Sequence, residues 1–259
     1  MSSPSKIVLC TGANQGLGYW IIQVAALRDP ASTYILCSRN LENGRTALQK
    51  LKDAGVTAKV DLLQLEVTDD DQIAAAAKYV EKTYGRLDVL INNAGIPRVL
   101  PEDDLPALRR TFNELLNVNL TSVAVVTAAF KALLYKSSDP KVINISSGLG
   151  SCANSLTKKM GRAPGYGASK IGLNGLTVHM QVAENDRVAA EGQEGKPFIR
   201  FFVCAPGALK TAFNNYFAAG REPERGAEVA VHLIADDKKS YEGGSYWEFE
   251  EGEMRRVPW

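Results

Sequence analysis

Short apolar runs alternate with longer amphipathic stretches along nearly the whole chain. A strand buried in a parallel sheet has a short continuous apolar run, whereas a helix that covers the sheet repeats its apolar positions every three or four residues. The pattern predicts strands at 7–10, 34–37, 60–65, 89–92, 142–146, 199–204 and 245–249. It predicts helices at 16–27, 42–54, 70–84, 105–135 (two helices), 167–190 and 223–235. This alternation indicates an α/β fold, a doubly wound parallel sheet of about seven strands with helices on both faces.

The chain of 259 residues is predicted to form a single domain spanning residues 1–259, because no repeat or low-complexity linker interrupts the alternation. Hydrophobic residues make up 45%, enough for a sizeable core. A formal net charge of +1 gives no indication of a nucleic-acid or membrane-surface partner. No apolar run approaches the roughly 18 residues that span a bilayer, and the first residues lack the apolar core of a signal peptide. We therefore expect a soluble cytoplasmic protein.

The four cysteines show no metal-ligand spacing, and no metal site is expected. Cys10, Cys37 and Cys204 each end an apolar run, so we interpret them as small buried hydrophobic residues.

The first predicted strand leads through a glycine-rich turn into the first predicted helix. Small residues there let backbone N–H groups approach a pyrophosphate, and the helix N-terminus faces its negative charge. The sequence therefore predicts a dinucleotide site at this turn. The predicted cofactor residues of the turn are Gly12, Asn14, Gln15, Gly16, Leu17 and Gly18.

The second predicted strand ends in Cys37-Ser38-Arg39-Asn40 and carries no acid at its end. An acid in that region usually binds the ribose 2′-hydroxyl of NAD, whereas a guanidinium can grip a 2′-phosphate through two hydrogen bonds. Arg39, with Ser38 as a further donor, therefore favours NADP(H) over NAD(H). The alternative is that Arg39 is an ordinary solvated loop residue.

Tyr166 and Lys170 are one helical turn apart and share a helix face. A positive charge near a phenol favours the phenolate and lowers the tyrosine pKa, which would make Tyr166 a usable proton donor and acceptor near neutral pH. The pair alone is a weak signal and requires the context of a cofactor and a substrate.

Five short motifs supply that context and resemble those of the short-chain dehydrogenase/reductase family. They are Thr11-Gly-x-x-x-Gly-x-Gly18, Asn92-Asn93-Ala94-Gly95, Ser146-Ser147, Tyr166-x-x-x-Lys170 and Pro206-Gly207-x-x-x-Thr211. Their order and spacing extend the similarity over nearly the whole chain, and the stretch from Thr11 to Gly95 looks most like the NADPH-dependent carbonyl reductase branch. The resemblance implies a Rossmann-type fold and NADPH or NADP+ as the cofactor.

The resemblance also implies four catalytic residues. Tyr166 would be the general acid, and Lys170 would lower its pKa and bind the nicotinamide ribose. Ser147 would hold the substrate oxygen, with Ser146 as the competing candidate. Asn119 would kink its helix and hold a water in a proton relay from Lys170 to solvent.

Further cofactor contacts are implied on both sides of the dinucleotide. On the adenosine side the implied residues are Glu66, Val67, Asn92, Asn93, Ala94 and Gly95. On the nicotinamide side they are Pro206, Gly207, Leu209 and Thr211. Glu66 stands where the family often has an aspartate, and a longer carboxylate could still accept a bond from the adenine amino group.

Two stretches, 148–165 and 208–222, follow predicted strands without helical periodicity. Ligands of open α/β sheets bind beyond the carboxyl ends of strands, so these stretches are predicted to be pocket walls, with ordinary surface loops as the alternative. Tyr166 lies 19 positions after Ser147, about six more than is common in the family, and the extra residues are expected to loop out within 152–164. The segment after Pro206-Gly207 is short, which predicts an open pocket. The predicted substrate contacts are Ser147, Leu149, Phe213, Tyr216 and Phe217.

These observations favour an enzyme that reduces a ketone or aldehyde with NADPH, and the wall residues favour a partly aromatic or aliphatic carbonyl compound. The alternatives are an alcohol dehydrogenase or an imine reductase of secondary metabolism that uses the same site, and a non-catalytic dinucleotide-binding sensor. Apolar residues lie on more than one stripe of the helix at 118–134, which favours a homodimer or homotetramer. The expected partner is a small-molecule carbonyl or alcohol substrate, with no nucleic acid and no membrane.

Overall fold

Eight strands form one sheet in the computed structural model, which describes residues 5–158, 163–191 and 197–259. The strands are β1 Ile7–Cys10, β2 Thr33–Ser38, β3 Lys59–Gln64, β4 Val89–Asn92, β5 Lys141–Ile145, β6 Arg200–Ala205, β7 Ser245–Glu250 and β8 Glu253–Arg256. Their order in the sheet is β3-β2-β1-β4-β5-β6-β7-β8. Every neighbouring pair from β3 to β7 is parallel, and β8 pairs antiparallel with β7. The chain order reverses between β1 and β4, which is where open α/β sheets hold ligands.

Helices cover both faces of this sheet. They are α1 Gly16–Arg28, α2 Leu41–Asp53, α3 Asp70–Tyr84, α4 Leu105–Leu116, α5 Ser122–Leu134, α6 Cys152–Thr157, α7 Pro164–Glu191 and α8 Pro223–Ile234. One apolar cluster joins the sheet to α1, α2 and α8, and a second joins it to α3 and α5. The fold is therefore the doubly wound, Rossmann-like α/β architecture that the sequence predicts. Cys10, Cys37 and Cys204 are buried in it, as expected for small apolar residues.

Helices α2, α3 and α4 each begin at a side-chain cap. The side chains of Asn40, Asp69 and Asp104 accept hydrogen bonds from backbone N–H groups at the starts of α2, α3 and α4. Such caps satisfy backbone donors that have no partner within the helix. Helix α1 has no side-chain cap at Gln15, and neither α5 nor α8 has a side-chain cap.

Strand β8 is an addition to the predicted sheet, which has eight strands rather than about seven. Glu251 and Gly252 form the turn of a β7–β8 hairpin, both with positive φ (52° and 88°). The edge strand carries Glu253, Arg255 and Arg256, which are exposed. An exposed edge strand needs no apolar run, so the pattern that identifies buried strands cannot identify it.

The predicted pair of helices at 105–135 is one continuous helical segment, in which α4 and α5 are joined by a π-helical turn over Asn117–Thr121. The segment Leu105–Leu134 is long and apolar enough to cross a membrane by length and composition alone. Core helices pass the same test, and here α5 packs against the sheet through Val126, Phe130 and Leu134.

The apolar stripes of α5 are covered mainly by the chain itself. Six apolar residues form these stripes, and five of them are at most 4% exposed within the single chain: Val123, Val126, Phe130, Leu133 and Leu134. Only Val125 is exposed, at 36%. Burial in the monomer accounts for the other five, so the expectation of a homodimer or homotetramer rests on less than the sequence pattern indicated.

Candidate active site

The glycine-rich turn connects β1 to α1 with a geometry that depends on glycine. Gly12 and Gly16 have φ of +61° and +57°, a region that residues with a side chain rarely adopt. A Cβ on Gly18 would lie 2.4 Å from Asn93 Nδ2 and 2.9 Å from the Gly12 carbonyl oxygen. The turn therefore has no room for a side chain at Gly18, and glycine leaves the backbone of the turn uncovered.

The N-terminus of α1 lies at this turn and suits an anion. Gln15 provides no side-chain cap, and the first turn of the helix contains no acidic residue. The first N–H groups of a helix carry partial positive charge, and a phosphate can satisfy them where no side chain does. Because the turn and the uncapped helix occur together, the residues present fit a dinucleotide pyrophosphate.

The segment after β4 packs directly under the glycine turn. The backbone N–H groups of Asn93 and Ala94 each donate to Thr11 Oγ1 at 3.0 Å, and Asn93 Nδ2 donates to the carbonyls of Thr11 and Gly12 at 2.8 and 3.1 Å. The structure thus gives Asn93 and Ala94 a role in holding the turn.

Asn92 does not line the groove, contrary to the implied adenosine contact. Its side chain is 3% exposed and donates to Thr127 Oγ1 and Asn144 Oδ1 at 3.1 and 2.9 Å. Alternate side chains of a strand point to opposite faces of the sheet, and the Asn92 side chain at the end of β4 points to the face that α5 covers.

The end of β2 places Arg39 at the surface. Arg39 is exposed, and its guanidinium has no hydrogen bond or ion pair with the residues that the structure describes. Ser38 differs from expectation: it is 1% exposed, and its hydroxyl donates to the Asn40 carbonyl at 2.7 Å, so that proton is already used within the chain.

The expected adenine contacts after β3 are partly occupied by local bonds. Glu66 Oε1 accepts from the Thr68 N–H and hydroxyl at 3.2 and 3.0 Å. Val67 is 8% exposed and lines an internal cavity of about 10 Å³ with Thr11 and Asn92 among its neighbours. Glu66 is only partly buried and keeps its second oxygen for another donor, whereas Val67 belongs mostly to the core.

The segment after β6 closes over the glycine turn from the other side. A Cβ on Gly16 would lie 3.9 Å from Thr211 Cγ2, so Thr211 borders the turn. Gly207 has φ of +81°, and a Cβ there would lie 2.7 Å from the Arg221 guanidinium. Pro206 is buried at the end of β6, and the side chain of Leu209 packs against Gly226 of α8 instead of facing the groove.

Ser147 and Tyr166 come together at the carboxyl end of β5. The Ser147 side chain lies close enough to the Tyr166 hydroxyl to lower the tyrosine pKa, although 19 positions separate the two residues in the chain. Ser147 follows β5, and its Oγ accepts from the Leu149 N–H at 3.2 Å, while Tyr166 lies in the first turn of α7. The insertion between them therefore leaves the pair intact.

Lys170 lies one turn further along α7 and is 4% exposed. Its Nζ donates to the Ile145 carbonyl at 2.8 Å and lies 5.7 Å from the centre of the Tyr166 ring. A Cβ on Gly95 would lie 3.8 Å from the same Nζ. Burial lowers the pKa of Lys170 to about 8, so this amine can gain and lose a proton near neutral pH.

The pKa of Tyr166 is shifted in the direction opposite to the one that the sequence predicts. The sequence predicts that Lys170 lowers it, but burial dominates and raises the pKa of Tyr166 above its ordinary value, and the neighbouring Ser147 side chain acts in the opposite direction. The ammonium lies beside the ring and donates to a backbone carbonyl, and burial weakens its own charge. In this protein Ser147 is the group that favours the phenolate.

Asn119 is fully buried in the π-helical turn between α4 and α5. Its Oδ1 accepts from the Ile96 N–H at 2.9 Å, and its Nδ2 donates to the Ile96 carbonyl and to Ser169 Oγ at 3.0 Å each. Ser169 Oγ in turn donates to the Tyr166 carbonyl at 2.7 Å. The expected distortion of the helix is present at this residue, and Asn119 links the segment after β4 to the start of α7.

The predicted pocket walls differ in how close they come to the tyrosine. The Phe213 ring is 5.8 Å from the Tyr166 ring and 40% exposed, and Leu149 is partly buried next to Ser147. Tyr216 and Phe217 lie further out on the same segment and are 68% and 53% exposed. Of the predicted aromatic wall residues, Phe213 is therefore the one that the structure places against Tyr166.

The extra residues between Ser147 and Tyr166 contain a helix where a loop was expected. Helix α6, Cys152–Thr157, is capped by Ser151, whose Oγ accepts from the Asn154 N–H at 3.0 Å. Residues 159–162, which also belong to the expected loop, lie outside the described residues.

Sequence reasoning missed Asn174, which continues the Tyr166–Lys170 stripe by one further turn. Its Nδ2 donates to the Gly150 carbonyl at 2.8 Å, and its Oδ1 accepts from Ser146 Oγ at 2.7 Å. The i+4 spacing was the available signal, because three polar residues on one helix face must meet something polar when that face is buried. The same bond makes Ser146 a structural residue and leaves Ser147 as the serine at Tyr166.

A family model described as short chain dehydrogenase matches residues 6–222. The chain belongs to the short-chain dehydrogenase family. A short-chain dehydrogenase/reductase of Aspergillus fumigatus is 56% identical over 260 residues, which cover 100% of this chain and 99% of the relative. The short-chain dehydrogenase anuI of Penicillium roqueforti is 33% identical over 238 residues, with 89% and 88% of the two chains covered.

Two solved structures share the fold. The NADPH-bound carbonyl reductase from chicken fatty liver superposes with a TM-score of 0.78 at 24% identity and covers 99% of this chain and 100% of that chain. A metagenomic short-chain oxidoreductase in complex with NADP has a TM-score of 0.70 at 26% identity, with 93% and 96% of the chains covered. Membership of the family and the Rossmann-like fold are thus shown for this chain.

Proposed function

We propose that this chain is an NADPH-dependent oxidoreductase that reduces a ketone or aldehyde to an alcohol. The observation that carries the proposal is the convergence of Ser147, Tyr166 and buried Lys170 at the carboxyl end of β5, where Lys170 Nζ lies 5.7 Å from the centre of the Tyr166 ring. Two hydroxyl groups that converge on one point suit a carbonyl oxygen on which negative charge develops. The uncapped glycine turn, which Thr211 borders, lies on the same edge of the sheet.

In the proposed reaction Ser147 donates a hydrogen bond to the substrate oxygen, and Tyr166 transfers its phenolic proton to that oxygen. When bound, the reduced nicotinamide supplies the hydride to the carbonyl carbon. The pKa of Tyr166 is raised by burial, so the phenol holds its proton at neutral pH and is ready to act as an acid. Lys170, with a pKa of about 8, is the nearest group that can return a proton to the phenolate.

Asn119 positions this machinery through its bonds to Ile96 and Ser169. Its location between the segment after β4 and the first turn of α7 fixes both against each other. A water held near Asn119 would carry the proton from Lys170 to solvent.

The cofactor is held, in this proposal, by the backbone of the glycine turn, by Gly95 and by Thr211, with Arg39 at the ribose 2′-phosphate. The Arg39 guanidinium is exposed and has no partner among the described residues, so it can form two hydrogen bonds with a phosphate. The carbonyl reductase from chicken fatty liver is bound to NADPH and the metagenomic oxidoreductase to NADP, which supports this choice for the present chain.

The substrate proposed is a carbonyl compound with apolar or aromatic character, because Leu149 and Phe213 border Tyr166. Alcohol oxidation by the same residues is the reverse of the same chemistry, and the direction depends on coenzyme supply. The sensor hypothesis finds less support, since a protein that only binds a dinucleotide has no need for two hydroxyls and an amine brought together.

The substitution Tyr166→Phe tests the proposal. It removes the phenolic proton and keeps the ring, so we expect turnover with NADPH and a panel of ketones and aldehydes to fall at least about a hundredfold. NADPH affinity, measured by fluorescence titration, should remain unchanged. Tyr241→Phe is the matched control, because the Tyr241 hydroxyl has no hydrogen bond with the described residues and lies away from the glycine turn. Turnover by Tyr166→Phe at the level of Tyr241→Phe would refute the mechanism.

A further inference from the structure

Tyr246 reaches the candidate active site from behind, although nothing in the sequence pattern connects it with catalysis. It lies in β7 opposite Val203 of β6 and is 1% exposed. Its hydroxyl donates to the Ser147 carbonyl oxygen and lies within hydrogen-bonding reach of Ser146 and Asn174. The buried Tyr246 hydroxyl is thus bound to the backbone of Ser147, whose side chain lies next to Tyr166.

The Ser147 carbonyl receives two donors. Besides the Tyr246 hydroxyl, the Gly150 N–H donates to it at 2.7 Å and closes the short 3₁₀ turn Gly148–Gly150. Gly150 is packed so closely that a Cβ there would lie 2.8 Å from Ser146 Oγ and 2.9 Å from Asn174 Nδ2. The peptide after Ser147 therefore has one fixed orientation, and so has the Cα–Cβ bond that carries the hydroxyl.

Tyr246 is held in turn by residues that follow β8. The Val257 N–H donates to the Tyr246 carbonyl at 2.9 Å, and the Trp259 ring lies 5.4 Å from the Tyr246 ring. The Trp259 carbonyl accepts from the Ala153 N–H at 3.1 Å, at the start of α6. The segment 257–259 thus connects the inserted helix to the phenol that supports Ser147.

We propose that Tyr246 is a positioning residue that sets the direction of the Ser147 hydroxyl. The inference rests on the proposed function, in which that hydroxyl binds the substrate oxygen. Tyr246 makes no contact with Tyr166, Lys170 or the glycine turn among the bonds of the described residues, so its influence on turnover passes through the Ser147 backbone. Loss of its hydroxyl frees the 147–148 peptide to rotate and misplaces the serine.

The substitution Tyr246→Phe removes the hydroxyl and keeps the ring between Val257 and Trp259. We expect kcat for carbonyl reduction to fall roughly ten- to a hundredfold, as misplacement of an active-site donor does. NADPH affinity and the thermal midpoint should stay close to wild type. Tyr241→Phe is again the control.

A double-mutant cycle separates positioning from a general loss of structure. If Tyr246 acts through Ser147, adding Tyr246→Phe to Ser147→Ala should cost little beyond Ser147→Ala alone. Effects that multiply, or an unchanged kcat in Tyr246→Phe, would overturn the inference.

Amide hydrogen exchange over residues 148–151, in the protein without substrate, tests the anchoring without any turnover. Exchange should be faster in Tyr246→Phe, since the Gly150 N–H shares the Ser147 carbonyl with the phenol. Unchanged exchange there would also overturn the inference. Absence of turnover in wild type with every carbonyl of the panel would count against the proposed function instead, and the exchange result would still decide the role of Tyr246.

Discussion

At the scale of single residues, the side chains that do the proposed chemistry are surrounded by others that hold them. Motifs identify Ser147 and Tyr166, and the fold brings both residues to the carboxyl end of β5, where Ser147 lowers the pKa of Tyr166. Asn174 and Tyr246, which fix the turn after Ser147, carry no motif. A motif records residue types at fixed spacings along the chain, whereas Tyr246 reaches Ser147 across 99 positions through strand pairing. That contact depends on the register of β6 with β7, which no local pattern contains.

Lys170 should reduce the stability of the folded chain at neutral pH. Burial lowers its pKa from 10.5 to about 8. Between these values the unfolded chain holds a proton that the folded chain has released, so the free energy of unfolding rises with pH through that window, and below about pH 8 the cost is present in full. We expect Lys170→Met to stabilise the protein by about 1–3 kcal/mol at pH 7. The loss of the bond to Ile145 acts in the opposite direction. The gain should shrink or reverse between pH 8 and pH 10.5, as urea unfolding at several pH values would show. A gain that does not change with pH would contradict this reasoning.

At the scale of elements, the buried strands and amphipathic helices are predicted to within a few residues of their bounds. Strands 7–10 and 89–92 and helix 70–84 coincide with β1, β4 and α3. The misses are α6 and β8, which are short and solvent-facing. Such elements depend on a cap such as Ser151 or on a neighbouring strand, and they leave little periodic signal in the sequence.

The amino ends of β5 and β6 depend on a buried cluster of charges. Arg200 Nη1 lies 2.7 Å from Asp236 Oδ2, and Lys141, fully buried, donates to the Asp236 carbonyl at 2.9 Å. Burial acts to raise the pKa of Asp236, but hydrogen bonds from Ser240, Arg200 and Tyr241 outweigh it and lower the pKa below its ordinary value. This stabilisation is fully present above the ordinary aspartate pKa of about 4 and is lost as the pH falls through the lowered value.

Asp236→Asn should therefore cost about 3 kcal/mol of unfolding free energy at pH 7, because it leaves Arg200 buried with one fewer anion. Chemical denaturation would measure this loss, and the difference from wild type should disappear at low pH. Glu42→Gln is the control, since the Glu42–Arg45 pair is exposed and its loss should change stability by less than about 1 kcal/mol. Equal effects of the two substitutions would contradict the importance of the cluster.

At the scale of the whole molecule, strand order determines which loops share an edge. The sequence β3-β2-β1-β4-β5-β6 brings the glycine turn, the segment after β4, Ser147 and the segment after β6 to adjacent carboxyl ends. This convergence was predictable, because parallel strands with right-handed crossovers admit few alternatives. The hydrogen-bond partners of individual side chains were not predictable. Ser38 uses its hydroxyl on Asn40, and Asn92 turns into the sheet.

Coenzyme binding should be visible in the stability of the whole chain and should depend on Arg39. A ligand that binds only the folded state at 100 times its Kd raises the free energy of unfolding by about 2.7 kcal/mol. We expect NADP+ to raise the thermal midpoint more than NAD+ at equal concentration, because the Arg39 guanidinium can pair with the 2′-phosphate. Arg39→Asp replaces attraction by repulsion, so it should weaken NADP+ binding at least about tenfold, or 1.4 kcal/mol, and leave NAD+ binding intact. Arg45→Asp makes the same charge change on an exposed face of α2 and should leave the preference unchanged. If Arg39→Asp retains the wild-type preference, the 2′-phosphate is held by other residues.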